Sequence, residues 1–404
     1  MNSSIDAVSQ QRPVRTSRVL MAVVLGALSA FGPLSLDMYL PSLPALATDL
    51  HTSTSSAQFS LTACLLGLSL GQLFAGPLSD VRGRRLPLVI GLVVYAATSL
   101  LCAFAPSIWA LLLLRFLQGA AGSAGIVISR AIVRDLYSGT ELTKFFSLLM
   151  LVNGAAPILA PIIGGQLMRV TSWQGVFVVL SLVGIAMLLV VLFRLPETLP
   201  AERRSKGGIK NTLATFRGLL GDRIFMSYAL AQGFVVAAMF AYISGSPFVL
   251  QEIFGVSPQM FSLFFAINGL GIIIASQITG RLAGRMNETK LLISGLTLAA
   301  FGGIALLVVI LIHAGLYAIL FSLFIVVSSV GIVTTTGFSL AMQNQGRSAG
   351  SASALLGVLS FIFGGLVAPL VGLGGSETAV PMGIVIASAE ICSILCFFTL
   401  GRRR

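Results

Sequence analysis

Apolar residues run along this chain in stretches of about twenty, the length that crosses the hydrocarbon core of a bilayer, and short polar breaks divide one stretch from the next. The breaks predict helical spans near 19–41, 57–77, 86–104, 108–130, 145–167 and 174–193, then near 224–248, 258–280, 290–312, 316–338, 351–372 and 379–400. Twelve spans leave no room for a soluble domain. The longest polar interruption, which holds PETLPAERRSKGGIK, is basic and contains Pro and Gly, so it reads as a linker between two six-helix halves. The resulting plan is a tail at 1–18, a first half at 19–193, the linker at 194–223, a second half at 224–400 and a basic tail at 401–404.

Composition agrees with the pattern. The chain is 56% hydrophobic and 9% charged, against about 25% charged residues in a soluble domain. Its net charge of +12 does not indicate nucleic acid, because the basic residues gather in alternate loops. Arg12 to Arg18, Arg82 to Arg85, Arg130 to Lys144, Arg194 to Arg223, Arg281 to Lys290, Arg347 and Arg402 to Arg404 share one side, with Arg169 alone across from them. This is the positive-inside bias of a polytopic protein with both ends in the cytoplasm. The first apolar run is too long for a cleaved signal peptide, and it holds Asp37.

Several chemistries are excluded. Cys64, Cys102, Cys392 and Cys396 lie in apolar helical sequence without metal-ligand spacing and read as small apolar fillers. No G-x-x-x-x-G-K-[ST] loop occurs, so this chain alone does not drive transport with ATP. No acidic pair or His/Asp constellation suggests a membrane-embedded enzyme. Neither a cofactor nor a metal is expected.

Charges inside a span are costly and face the bundle interior or a watery path. Asp37, in LSLDMYLPSLP, lies eighteen residues past Val19, roughly 27 Å along a helix. Arg115 lies seven residues into the fourth span, which enters from the opposite face, so the two reach similar depth. Glu390, eleven residues into the last span, is either a hydrogen-bonded structural group or a second proton site.

Two halves also echo each other: GPLSDVRGRR at Gly76 follows the second span, and SQITGRLAGR at Ser276 follows the eighth. With DMYLPSLP at Asp37, LLLLRFLQGAAGS at Leu111 and APILAPIIGG at Ala156, the whole chain resembles the major facilitator superfamily. Within it, the resemblance is to the drug/proton antiporters of the bicyclomycin and chloramphenicol resistance (Bcr/CflA) type. Val81 departs from the loop motif, where a basic residue is usual, and Ala156 and Ala160 stand where the fifth-helix motif has Gly.

The resemblance implies an all-α, twelve-helix membrane protein with two pseudo-symmetric halves around a central site, working by alternating access in a bacterial inner membrane. A monomer would export small amphipathic drugs in exchange for protons, with the proton gradient as energy source. The alternative is a proton-coupled metabolite transporter. The first and fourth helices would line the cavity and bring Asp37 to Arg115. Burial and a neighbouring guanidinium pull a carboxyl's proton affinity in opposite directions, so Asp37 is the expected proton carrier and Arg115 the group that holds it ionised. Gly76, Asp80, Gly83, Arg84 and Asp135 would form a conformational gate, in which Arg84 pairs with Asp135 and Asp80 meets the second half. Pro157, Pro161, Gly164 and Gly165 would form an antiporter hinge. Phe31, Met38, Tyr39, Gln72, Asn153, Gln232, Met239, Tyr242, Phe248 and Asn268 are the candidate substrate contacts.

Overall fold

A computed structural model describes residues 18–137, 139–204, 217–283, 285–343, 345, 349–375 and 377–401. The tail before Arg18, the middle of the linker, Arg347 and the three terminal arginines lie outside the described residues.

The first crossing is not the straight helix that the apolar run predicts. It divides into α1 (Arg18–Ser29), α2 (Phe31–Asp37), a tight turn at Leu40–Ser42 and α3 (Leu43–Asp49), and it bends by 42° at the first break. Pro33, Pro41 and Pro44 each remove a ladder donor. Ser29 Oγ donates to the Gly26 carbonyl at 2.7 Å, a local bond that competes with the helix ladder.

Five longer helices complete the first half: α4 (Thr54–Arg82), α5 (Arg85–Ala103), α6 (Ile108–Leu136), α7 (Gly139–Leu167) and α8 (Trp173–Arg194). The second half holds α9 (Arg223–Phe248), α10 (Pro258–Leu282), α11 (Glu288–Leu311), α12 (Leu316–Met342), α13 (Ala349–Val371) and α14 (Val380–Leu400). A short π-helical turn, Val249–Ile253, prolongs α9. Ten of these helices are long and apolar enough to cross a bilayer, and the bent first crossing makes eleven. The twelfth is α7, whose 29 residues rise roughly 43 Å and whose described apolar part is Leu151–Leu167. Helices α4 and α6 outrun their predicted spans to Arg82 and Leu136, because a hydropathy break marks the edge of lipid and not the end of a hydrogen-bonded ladder.

Polar residues in the loops start the helices. Ser53, Ser107, Ser257 and Asn287 each accept a backbone N–H from the first turn that follows, and Asp222 accepts two, from Ile224 and Phe225. Each such cap stabilises its helix by about 1 kcal/mol.

Small residues set the spacing within the first half. A Cβ on Gly67 would meet the main chain of Phe116, and one on Gly119 would meet that of Cys64, so α4 and α6 pack backbone to backbone. The halves meet along two seams, α4 against α13 and α7 against α10. On the side away from the linker, six hydrogen bonds cross between the halves among the described residues. Ser55, Gln58 and Thr62 on α4 donate to the carbonyls of Pro369, Ser244 and Gly365. Gln251, Gln259 and Ser262 donate to those of Pro41, Gly165 and Pro161. On the linker side, no hydrogen bond joins the halves among the described residues.

Candidate functional site

Between the halves lies a cavity of about 880 Å³. Its lining runs from Asp37 and Leu36 on α2 to Asp80, Arg130 and Arg134 at the linker-side ends of α4 and α6. It is therefore open toward the linker and closed by the six cross-half bonds at the other end. The first half supplies Ser29, Gln72, Asn153 and Pro157; the second supplies Met239, Tyr242, Asn268 and Phe361. Asn268 Nδ2 donates to Tyr242 Oη at 2.9 Å, and the Tyr242 ring stacks on Phe265 with centroids 5.5 Å apart. The walls thus combine aromatic surface with a few fixed amides.

Asp37 closes α2 and is 6% exposed. Its carboxyl lines the cavity and makes no hydrogen bond or ion pair among the described residues. The expected pairing with Arg115 is not formed. Arg115, fully buried, donates to the Ser35 carbonyl at 2.7 Å and to Gln118 Oε1, and its guanidinium lies 4.3 Å from the centre of the Tyr39 ring. Gln118 in turn donates to Ser99 at 2.7 Å. Similar depth did not bring the charges together, because α2 ends at Asp37 and the following turn carries the Tyr39 ring beneath the guanidinium. Arg115 organises the first half, whereas Asp37 faces the cavity.

Of the candidate contacts, Gln72, Asn153, Met239, Tyr242 and Asn268 line the cavity. Phe31, Met38, Tyr39, Gln232 and Phe248 do not. Phe31 packs edge-on against Tyr95 with ring centroids 4.4 Å apart, and Tyr39 exchanges a 3.0 Å hydrogen bond with Ser60. The Met38 carbonyl is covered by Gly164, and Gln232 is turned toward Gly337. Phe248 is buried at the sealed end.

The loop after α4 is the best-tied part of the linker side. Gly83 adopts φ +90°, open to glycine alone at little cost, and a Cβ there would strike Glu197. Arg84 Nε donates to Asp135 Oδ2 at 2.8 Å, and its Nη1 donates to Asp80 and Ser79. Burial works against the Arg84 charge, but the two carboxylates outweigh it and raise its pKa. Asp80 does not meet the second half: it is bound within its own half and half exposed at the cavity mouth. The cavity separates it from the opposing helices. Gly76 lines the same mouth.

Glu197 is a tie that the sequence did not single out. It accepts N–H bonds from Arg84, Arg85, Thr198 and Leu199. Partial burial alone would raise its pKa, yet these four donors hold it below the usual carboxylate range. The sequence signal was PET, an acid directly after a helix end and followed by the polar linker.

The segment from Pro157 to Gly165 serves two surfaces. Pro157 lines the cavity, while the carbonyls of Pro161 and Gly165 accept bonds from Ser262 and Gln259 of α10. Glu390 sits fully buried in α14 with neither carboxyl oxygen hydrogen-bonded among the described residues, so of its two alternative readings the hydrogen-bonded one is not formed. Among the described residues, no cluster of His, Cys, Asp and Glu has the form of a metal site.

The comparisons agree with this architecture. A family model described as Major Facilitator Superfamily matches residues 23–369. The chain is 48% identical over 394 residues to the Bacillus subtilis (strain 168) protein named Uncharacterized MFS-type transporter YdgK, covering 97% of this chain and 98% of that one. It is 31% identical over 387 residues to the Bicyclomycin resistance protein homolog of Haemophilus influenzae, covering 96% and 97%. It is 30% identical over 375 residues to Multidrug resistance protein MdtL of Salmonella heidelberg (strain SL476), covering 92% and 93%. Among solved structures, a bacterial homolog of the human lysosomal transporter Spinster, inward-facing and occupied, matches with TM-score 0.75 at 16% identity over 95% of this chain and 97% of that one. The E. coli xylose transporter XylE, partially occluded and inward open, matches at 0.71 with 14% identity, covering 95% and 98%. At such identities the structures speak for the fold, and the family model and the relatives for descent: this chain is a multi-pass membrane transporter of the Major Facilitator Superfamily.

Proposed function

We propose that the chain is a proton-coupled antiporter that exports small amphipathic drugs across a bacterial inner membrane, with both termini in the cytoplasm. The observation that carries this reading is Asp37, a carboxyl within the bundle that faces the cavity and has no ion-pair partner among the described residues. A charge so placed is kept for use. Protons from outside would neutralise Asp37 when the far side opens, and the drug would leave as they bind. Return to the linker-open state would release the proton to the cytoplasm, by alternating access of the two halves. Arg115 acts in this scheme as a positioning residue, since it grips the Ser35 carbonyl two residues before Asp37.

The walls suit amphipathic cargo. Aromatic and aliphatic surface predominates, with Gln72, Asn153 and Asn268 as amides in the lining, whereas sugars need more hydrogen-bonding groups. The printed names of two relatives, a bicyclomycin resistance protein homolog and a multidrug resistance protein, point the same way. Arg84 with Asp135 and Asp80 is read as the linker-side gate, the Pro157 to Gly165 segment as the hinge of α7, and the monomer as the working unit.

The test is proton movement on adding candidate drugs to proteoliposomes, comparing the native chain with Asp37→Asn at matched protein levels. Drug-dependent proton flux that disappears in the variant supports the reading. Flux that persists removes Asp37 from the proton path, and drug uptake without any flux replaces antiport by another mode of transport.

A further inference from the structure

Two arginines at the cavity mouth have no role in the scheme above. Arg130 and Arg134 stand one turn apart on α6 and both line the cavity. Arg130 Nε is buried without a hydrogen-bond partner, and neither guanidinium forms an ion pair among the described residues. Arginines that only set topology stay exposed at the ends of helices or in loops, as Arg82 does at the end of α4. A guanidinium drawn into a partly dry wall instead calls for a counter-charge.

Among the described residues, none is supplied. Asp80 is held by Arg84, and Asp135, next to Arg134, is turned to Arg84 and Thr198. From the second half, Ser353, Gly357 and Val358 of α13 line the mouth, and none is acidic. Asp222 caps α9, and Glu288 accepts from Ser339 and Gln343. Closure of the halves therefore offers Arg130 no carboxylate from those positions.

We infer that Arg130 and Arg134 form a capture site for an anionic group, a carboxylate, sulfonate or phosphate, on the amphipathic molecule that enters the cavity. Guanidinium groups bind such oxyanions through paired, charge-assisted hydrogen bonds. Arg130 lies fifteen residues beyond Arg115 on α6, roughly 22 Å along the helix. The capture site thus stands apart from Asp37, and a small cargo meets the two in succession. The inference rests on the transport reading, but its test needs no proton gradient.

The probe is dansylglycine, an anionic amphiphile, compared with its uncharged amide by fluorescence anisotropy on the purified full chain in neutral detergent at low salt. The native chain should prefer the acid about tenfold, the size of one charge-assisted bond. Arg130→Gln should remove most of that preference, Arg134→Gln part of it, and Arg130→Lys should keep part of it, with amide binding unchanged throughout. Equal binding of acid and amide by the native chain overturns the inference, as does a preference that survives in the Arg130→Gln/Arg134→Gln double variant. Exposed Arg134 keeps the test readable should Arg130→Gln not fold. Uptake of dansylglycine into native proteoliposomes that falls in Arg134→Gln assigns the anion to cargo. Arginine-dependent binding of phosphatidylglycerol without any dansylglycine preference assigns it to a lipid headgroup and overturns the cargo claim.

Discussion

Arg115 reaches the main-chain oxygen of Ser35 at 2.7 Å, two residues short of Asp37, and leaves that carboxyl to the cavity. The two membrane-embedded charges of the first half are thereby separated in space: one is bonded inside the bundle, the other lines the cavity.

Removing the first should unfold, and removing the second should uncouple. Arg115→Ala strips donors from Ser35 and Gln118 and the cation from the Tyr39 ring, a loss of about 3 kcal/mol. Asp37→Asn should stay within about 0.5 kcal/mol of the native chain while abolishing drug-driven proton flux. Unfolding in detergent and flux in liposomes, measured on both variants, separate the roles; equal destabilisation by the two would mean a hidden Asp37–Arg115 dependence.

Glu390 gives the opposite expectation. A buried carboxyl with both oxygens unbonded destabilises the fold, so Glu390→Leu should raise stability by about 1–3 kcal/mol, with transport unchanged in Glu390→Gln. Loss of drug-dependent proton flux in Glu390→Gln would instead make it a proton site.

The Glu197 tie is expected to fail with acid. Its pKa lies below the ordinary 4.5 because four backbone donors favour the carboxylate. Its stabilising effect is therefore fully present above pH 4.5 and is lost as pH falls through the lower folded-state value. The unfolding midpoints of the native chain and Glu197→Gln should differ at neutral pH and converge only below pH 4.5. Convergence already above that value would place the tie elsewhere.

At the sealed end, Gly165 of α7 lies against the Pro258 carbonyl and the Ser262 side chain of α10 with no room for a Cβ. Gly165→Val should push α7 away from α10 and part the halves there. Spin labels at His51→Cys and His313→Cys, both in exposed far-side turns, should move apart in a cysteine-free background; an unchanged distance distribution would show that the seam absorbs the bulk.

Much of this was legible from residue type and spacing. Polar breaks gave twelve crossings, and Asp37, Gln72, Asn153 and Asn268 stood out as polar groups that lipid would not accept. Phe31, Met38, Tyr39 and Gln232 were misplaced because an almost wholly apolar helix does not reveal which of its faces meets a neighbour and which a cavity. The bend at Ala30 and the turn at Leu40–Ser42 redirected the side chains around Asp37, and counting residues along a straight helix misses such a rotation. Arg130 and Arg134 were visible as topology signals only, since nothing in their spacing says that α6 turns them inward.

The seam that closes the far side has a further consequence for how the two ends respond to solvent. All six of its bonds run from an uncharged side chain to a main-chain carbonyl, while the open mouth is lined by Asp80, Arg130 and Arg134. Dissolved ions screen charges within about 8 Å at physiological strength and hardly touch neutral hydrogen bonds. Ionic strength is therefore a selective lever, acting on the entrance and leaving the opposite closure untouched.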